Sequence, residues 1–564
     1  MKGLGVQMKK KSALLVLITI ATMSWGTMVS AEESITIDEA NFPDEVFRTY
    51  VSENFDENKD DILQPEEIAK ATIIDFDYGT YWVTDLSGIE YLTKLESLNC
   101  SFNGVSALDL SENTELQYLD CSYNEELEEI NVSANTKLQE LHCYETPVSA
   151  IDVTHNPELV RLDCNNTTIS ELDVTHNQKL FALNVEKTNL TSIDISNNPE
   201  LYEVYVTGTA MTELDISNNP RMGQIRVDNT SITNMDFSNN PELVAVRCSD
   251  TNISELDFSK NPQMYEIFCF NTPIKELDLT GLTGLHTVEC YNTGITRLDV
   301  SDCVNLVGLI CNETGISKLD VTNNPELKRL ECSDTLITSL DLRNNVKLRL
   351  LNISNTRINE MGEFDGGKFP SLEELYCNNA GIKNLDLTKN SLLYSLDCGQ
   401  NELVSLDLSG VGSLWYIATV SPQNPEKTGI VSDNKMTLDL KTFVKDISRV
   451  EIEQSEAYSY DEKTGIIYFN NIEECEVAYS YNHGYPSDLE MMKVHLKVIP
   501  KNAEKESKPS IDNNIKADTP NVSSQKNNKT ENVRTGDNNH IFMWLTAAIV
   551  SILCVVSIIK KKRV

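Results

Sequence analysis

Positive charge is what this chain has least of. Its 564 residues include 47 Lys and Arg against 86 Asp and Glu, a formal net charge of −39. A surface of that sign repels phosphate backbones and anionic lipid. That argues against nucleic acid as a partner and favours cationic groups or divalent ions. Catalytic signatures are also missing. There is no G-x-S-x-G nucleophile elbow, no H-E-x-x-H zinc motif, no G-x-x-x-x-G-K-[ST] phosphate loop and no acid pair outside a repeating pattern. The expectation is a protein that binds and is not an enzyme. Long apolar runs are confined to the two ends of the chain.

What is present is a repeat. From about Leu95 to Leu408 the same pattern returns every 21 residues, and Leu327 to Leu342 reads L-K-R-L-E-C-S-D-T-L-I-T-S-L-D-L. Aspartates mark the period at Asp152, Asp173, Asp194, Asp215, Asp236, Asp257, Asp278, Asp299, Asp320 and Asp341. Such a period means a solenoid, in which no coil can bury its apolar face alone. Each repeat has two L-x-x-L-x-(C/L/V) halves. Leu and Cys two residues apart on an extended segment point the same way, so they face inward and stack on their copies.

Eleven of the fourteen cysteines share one inward column: Cys100, Cys121, Cys143, Cys164, Cys248, Cys269, Cys290, Cys311, Cys332, Cys377 and Cys398. An exported cysteine-rich chain ordinarily suggests disulfides. Here the same column also holds Val185, Val206, Val227 and Ile353. Cross-links and metals do not accept Val for Cys, whereas packing does, so the thiols read as small buried hydrophobes. Asn113, Asn135, Asn156, Asn177, Asn198, Asn219, Asn240, Asn261, Asn324 and Asn345 form a column in the second half, suited to satisfying backbone groups at a turn. The aspartates lie next to Ser or Thr and read as local backbone acceptors. His155 and His176 occupy equivalent places in adjacent coils, with no third metal ligand in sight.

The pattern L-x-x-L-x-C-x-x-N/T-x-I/L-x-x-L-D-L-S-x-N matches the leucine-rich repeat. It resembles in particular the cysteine-ladder repeats of the internalin-type surface proteins of Gram-positive bacteria, and the likeness in organisation covers residues 38–500. The resemblance implies a curved, mostly β solenoid with a helical N-terminal cap, and adhesion or host binding as the family function.

The ends speak of export. Residues 1–31 carry Lys9, Lys10 and Lys11, an apolar run from Ala13 to Ala21 and Val29-Ser30-Ala31, the layout of a cleaved signal peptide. Asn532-Val533-Arg534-Thr535-Gly536 precedes an apolar run from Ile541 to Ile559 and a basic tail, Lys560 to Arg563. The run is just long enough to span a bilayer, and the basic tail holds the terminus inside. This resembles a sortase sorting signal of the L-P-x-T-G type, with Asn532 and Val533 departing from it. The resemblance implies sortase as processing enzyme, cleavage between Thr535 and Gly536, and attachment to the wall, with a plain membrane anchor as the alternative.

The divisions expected are a signal peptide (1–31), an EF-hand-like helical cap (32–80), repeats (81–420), a small β-sandwich (421–500), a wall spacer (501–531) too poor in apolar residues to fold, and the sorting signal (532–564). In the cap, residues 56–67 follow the calcium-loop pattern. Asp56, Asn58 and Asp60 would offer side-chain oxygens, Ile62 its carbonyl and Glu67 two oxygens. Asp61 stands where Gly is usual and must adopt a left-handed turn. Calcium is therefore a candidate cofactor.

Columns that vary between coils are free of the fold's demands. The residue between Leu and Cys varies, whereas the L-D-L-S half barely does. Tyr202, Tyr205, Arg226, Arg247, Tyr265, Phe268, Phe270 and Tyr291 gather aromatics and Arg in the middle coils, the composition of binding hot spots. The expected function is a wall-anchored adhesin or a module binding an extracellular protein or glycan. The alternatives are a calcium-stabilised surface scaffold and an accessory to glycan degradation.

Overall fold

A computed structural model describes residues 34–503, apart from 77–80, 357, 359–362, 417 and 486–488. The signal peptide, Thr535, Gly536, the apolar run at 541–559, the basic tail and all but the start of the spacer lie outside the described residues. Among the described residues no helix is long and apolar enough to cross a membrane.

Each coil lays one short strand beside the last, parallel and in register. The ladder starts at Ile73–Asp75, continues through Ser97–Asn99 and Tyr118–Asp120, and ends with Ala418–Thr419 against Leu396 and Asp397. Its first rung falls inside the stretch expected to be cap. Ile74 fills the inward place there, but no Leu-x-Cys signature marks the coil. In most strands the middle residue is buried and its neighbours are half-exposed, as in Glu203–Tyr205 and Gln224–Arg226. One side of the sheet therefore faces the core and the other faces out.

After the strand the chain turns through a residue in the left-handed region, such as Asn166, Lys187, Asn229 or Asp250. Asn, Asp and Gly tolerate this geometry; Phe102 and Tyr123 also adopt it, which is unusual for bulky side chains. The next residue is commonly a buried Thr whose hydroxyl donates to the carbonyl three residues back, as Thr251 does to Cys248 at 2.7 Å. The second half-repeat turns the chain home. Aspartate Oδ1 accepts from the backbone N–H two residues on, at 2.9 Å from Asp173 to Thr175 and 2.8 Å from Asp257 to Ser259. Those bonds, with the neighbouring hydroxyls, hold the carboxyls below the usual aspartate range.

All eleven ladder cysteines are fully buried free thiols. Burial pushes them up, Cys290 to about 12, so they are not nucleophiles. The asparagine column works between coils. Asn198 Nδ2 donates to the Val174 and Asn177 carbonyls of the preceding coil, both at 2.8 Å. Between Asn113 and Asn345 two coils break the column, with Leu282 and Cys303 in its place, both buried. His155 and His176 sit exposed on the turns, each ring beside its neighbouring threonine hydroxyl.

At the N-terminal end, the helix α1 (Glu45–Asn54) is capped by Asp44, whose side chain accepts from Val46 and Phe47. Phe47, Tyr50 and Val51 are buried, and Phe47 and Tyr50 meet Phe76 edge-on. The second helix, α2 (Pro65–Ile68), is a single turn. At the other end, where a small β-sandwich was expected, seven strands are joined in one sheet. The reason is the length of Met492–Asn502. Its first part pairs antiparallel with Cys475–Tyr481, and its last part pairs parallel with Glu426–Val431, so a single strand serves both sides. This sheet is fastened to the last coils. Gln423 is fully buried and donates to the Cys398 and Val420 carbonyls at 2.8 Å each, and Tyr479 Oη donates to the Val404 carbonyl at 2.8 Å.

Candidate functional site

The outward side of the ladder is set by strand register. Tyr205 stands opposite Arg226, Arg226 opposite Arg247, and Arg247 opposite Phe268. Neighbouring strands lie about 4.8 Å apart, so these four side chains form a continuous row. Within it the cations lie over rings: the Arg226 guanidinium is 4.3 Å from the Tyr205 centroid, and that of Arg247 is 4.5 Å from Phe268. Such pairs contribute about 0.5–1 kcal/mol each at exposed sites. They also relieve the repulsion between the two adjacent arginines. Arg247 Nε donates to Glu266 Oε1 at 2.9 Å, and Tyr205 Oη to Gln224 Oε1 at 3.2 Å.

Two further columns flank this row. On one side Tyr202 stacks on Phe181 at 5.3 Å, and Tyr265 on His286 at 4.7 Å. The Tyr202 ring lies over Gly223, where any Cβ would meet it at 2.1 Å. On the other side Phe270 stacks on Tyr291 at 4.4 Å. All eight residues expected to bind are thus on one side of the sheet. Seven are half-buried against each other or their neighbours, and Tyr265 is 45% exposed. Phe181, Glu203, Gln224, Glu266 and His286 complete the patch and were not singled out from the sequence. Phe181 and His286 stand one period from Tyr202 and Tyr265, so the spacing carried that signal.

The patch is partly dry. Burial pushes Tyr205 up to about 12, with Glu203 adding to it. Burial likewise raises Glu289 and lowers His286. Polar groups held this way, beside packed rings, offer pre-arranged donors, acceptors and apolar area at low ordering cost. The arrangement suits recognition and contains no nucleophile–base pair.

The calcium-loop residues have a different occupation. Asp56 and Glu67 are buried. Asp56 Oδ1 accepts from Lys59 N–H at 2.7 Å and Oδ2 from Asp61 N–H at 2.9 Å. Glu67 Oε1 accepts from Glu57 N–H at 2.8 Å, and Oε2 from Gln64 N–H at 2.9 Å. Asn58 Oδ1 takes Asp60 N–H, and Asp60 Oδ1 takes Ile62 N–H. Lys59 and Asp61 both have φ of 59°, and Ile62 and Leu63 pair with Thr36 and Ile35. The path is that of an EF-hand loop, but amides close it, with Glu67 as the clip. Among the described residues no three His, Cys, Asp or Glu side chains gather as a metal site.

No family model matches the chain. It is 37% identical over 73 residues to internalin J of Listeria monocytogenes serotype 4b (strain F2365). That stretch is 13% of this chain and only 8% of the relative's length. The functional domain of InlJ from Listeria monocytogenes, which includes a cysteine ladder, superposes with a TM-score of 0.65 and 27% identity, over 84% of this chain and 100% of that one. An internalin, InlF, from L. monocytogenes str. 4b F2365 gives a TM-score of 0.44 and 20% identity, over 65% of this chain and 99% of that one. In repeat and in fold, the chain is similar to the internalin-type leucine-rich-repeat proteins.

Proposed function

We propose that this protein is a cell-surface recognition module that docks an extracellular protein or glycan on the outward side of its ladder, between the strands Glu203–Tyr205 and Thr287–Glu289. The observation that carries the reading is the in-register row Tyr205, Arg226, Arg247 and Phe268, flanked by stacked aromatics. The fold has no need of them, since the equivalent places elsewhere hold Asn99, Asp163 and Asn184. Adhesion at the bacterial surface is the role this reading assigns, supported by the likeness to internalins. Anchoring rests on the sequence of the C-terminal end, with sortase cutting after Thr535. Calcium would be held in the cap by Asp56, Asn58, Asp60, the Ile62 carbonyl and Glu67.

The test is a pull-down of host matrix proteins, mucin and bacterial glycans, comparing the wild-type protein with Tyr205→Ala/Arg247→Ala/Phe268→Ala. A ligand retained by the first and lost by the second supports the proposal. Equal capture of every specific ligand by both moves the site elsewhere.

A further inference from the structure

The ladder ends in an aromatic cluster that nothing covers. In the last rung Trp415 and Tyr416 take the places that Tyr394 and Ser395 hold one coil earlier, and both N–H groups point at the Tyr394 carbonyl. Trp415 stacks on Tyr394 at 5.1 Å, and Tyr416 meets Trp415 at 72° and 6.1 Å. Two rings are thus set nearly at right angles, yet Trp415 is 72% exposed and Tyr416 64% exposed. No other large apolar side chain named as exposed reaches the 72% of Trp415. The ring that Trp415 stacks on is tied to a carboxylate of the coil before: Glu374 accepts from Tyr394 Oη at 2.5 Å and from Tyr376 Oη at 2.7 Å. The hydrogen bond to Glu374 is the main cause that pushes Tyr394 up to about 12; for Tyr376, also at about 12, burial leads.

A neighbouring column in the middle of the same sheet shows one partner that rings on this side accept. There each of two exposed-side aromatics is covered by an arginine from the adjacent coil, Arg226 on Tyr205 and Arg247 on Phe268. After Trp415 and Tyr416 no further coil follows to supply a cation. Among the described residues no Lys or Arg is placed over either ring. Perpendicular aromatics backed by a carboxylate attract a cation through ring quadrupoles and charge together. The surrounding net charge of −39 has the same preference.

We infer that Trp415 and Tyr416, backed by Glu374, form a second docking site that takes an Arg or Lys side chain from a protein partner. The site is distinct from the middle patch and stands or falls without it. The probe is a short acetylated, amidated peptide of Gly and Ser with one central Arg, set against the same peptide with citrulline, which keeps the shape and loses the charge. The full chain is labelled with nitrogen-15, and the Trp415 indole N–H signal is identified by its loss in Trp415→Phe.

The Arg peptide is expected to shift that signal saturably, and the citrulline peptide to need at least a tenfold higher concentration. Calorimetry on Trp415→Ala should show at least a tenfold loss of Arg-peptide affinity, and Trp415→Phe an intermediate value. Should Trp415→Ala fail to fold by circular dichroism, Tyr416→Ala gives the same comparison. Equal binding of the two peptides overturns the proposal. So does undiminished affinity in the Ala variants, or a neutral oligosaccharide that shifts the indole where the Arg peptide does not.

Discussion

The two halves of each coil use similar lengths of chain under different constraints. The second half is an internal machine. Its asparagine bonds two carbonyls of the coil before, and its aspartate pins the backbone two residues on. These bonds stay within the solenoid, and the half barely changes along the chain. The strand half fixes only its inward residues. Its outward places are occupied by Asn, Asp, His, Tyr, Arg, Phe, Glu and Ile in different coils. The difference teaches where selection for partners can act: only on atoms that the neighbouring coils do not use.

The comparison breaks most severely inside the shared core. Cys290→Asp is expected to cost at least about 3 kcal/mol, because it buries a carboxylate with no counter-charge. Cys290→Val should cost under about 1.5 kcal/mol, as a volume-conserving apolar exchange. Urea denaturation of both checks this, and equal losses would mean that the thiol does more than pack. Next is Asn198→Ala, which strips the Val174 and Asn177 carbonyls of their side-chain donor. Chemical denaturation should show a loss of about 1–3 kcal/mol for the two hydrogen bonds, since each carbonyl keeps a backbone donor, Asn177 N–H or Leu180 N–H.

A weaker, distributed effect belongs to the aspartates. Their folded-state carboxyls are depressed, first by the hydrogen bonds to the following Ser or Thr. The stability they contribute is therefore present above the unfolded aspartate value and lost as pH falls through the lower folded values. A melting curve measured from pH 6 downwards should hold until about pH 4 and then decline, in steps too small to assign singly because the groups are exposed. A flat profile below pH 4 contradicts this account.

On the outward side the balance reverses. Arg247→Ala should lower stability by less than about 1 kcal/mol, the loss of one exposed cation–π pair, while weakening ligand binding by more than about 1 kcal/mol. Calorimetry with an identified ligand, beside denaturation, separates the two. The smallest effect is expected at the cap. Calcium should raise the melting temperature by a few degrees at most, and Asp56→Ala/Glu67→Ala should remove the shift; an identical response in the double variant would move the ion elsewhere.

The repeat, the thiol column and the outward row were legible because each recurs at a fixed spacing, and parallel in-register strands turn spacing directly into neighbourhood. Legibility failed where copies lose that signature. Ile73–Asp75 begins the ladder without a cysteine, and Gln423 ends one polar column as a longer amide. Trp415 and Tyr416 form a rung whose inward residues no longer spell the motif. The C-terminal sheet was hidden for a different reason. Glu426 pairs with Lys497 across a long stretch of chain, and such pairing leaves no period behind. The cap loop shows a third limit: the spacing gives the ligand types but not whether amides or an ion occupy their oxygens.

The buried thiol column has a consequence for the life of the chain rather than its folded form. Once the coils are closed, each ladder thiol is shielded and held in its protonated form, so oxidants meet almost no reactive sulfur in the ladder. Before closure the same side chains are open to wrong cross-links. The hazard is one of timing, confined to the interval between synthesis and coiling. Each contact in the ladder reaches only to the adjacent coil, so closure can spread from any nucleus without waiting for distant chain. A repeat rich in cysteine is safe from oxidants to the extent that it folds faster than it oxidises.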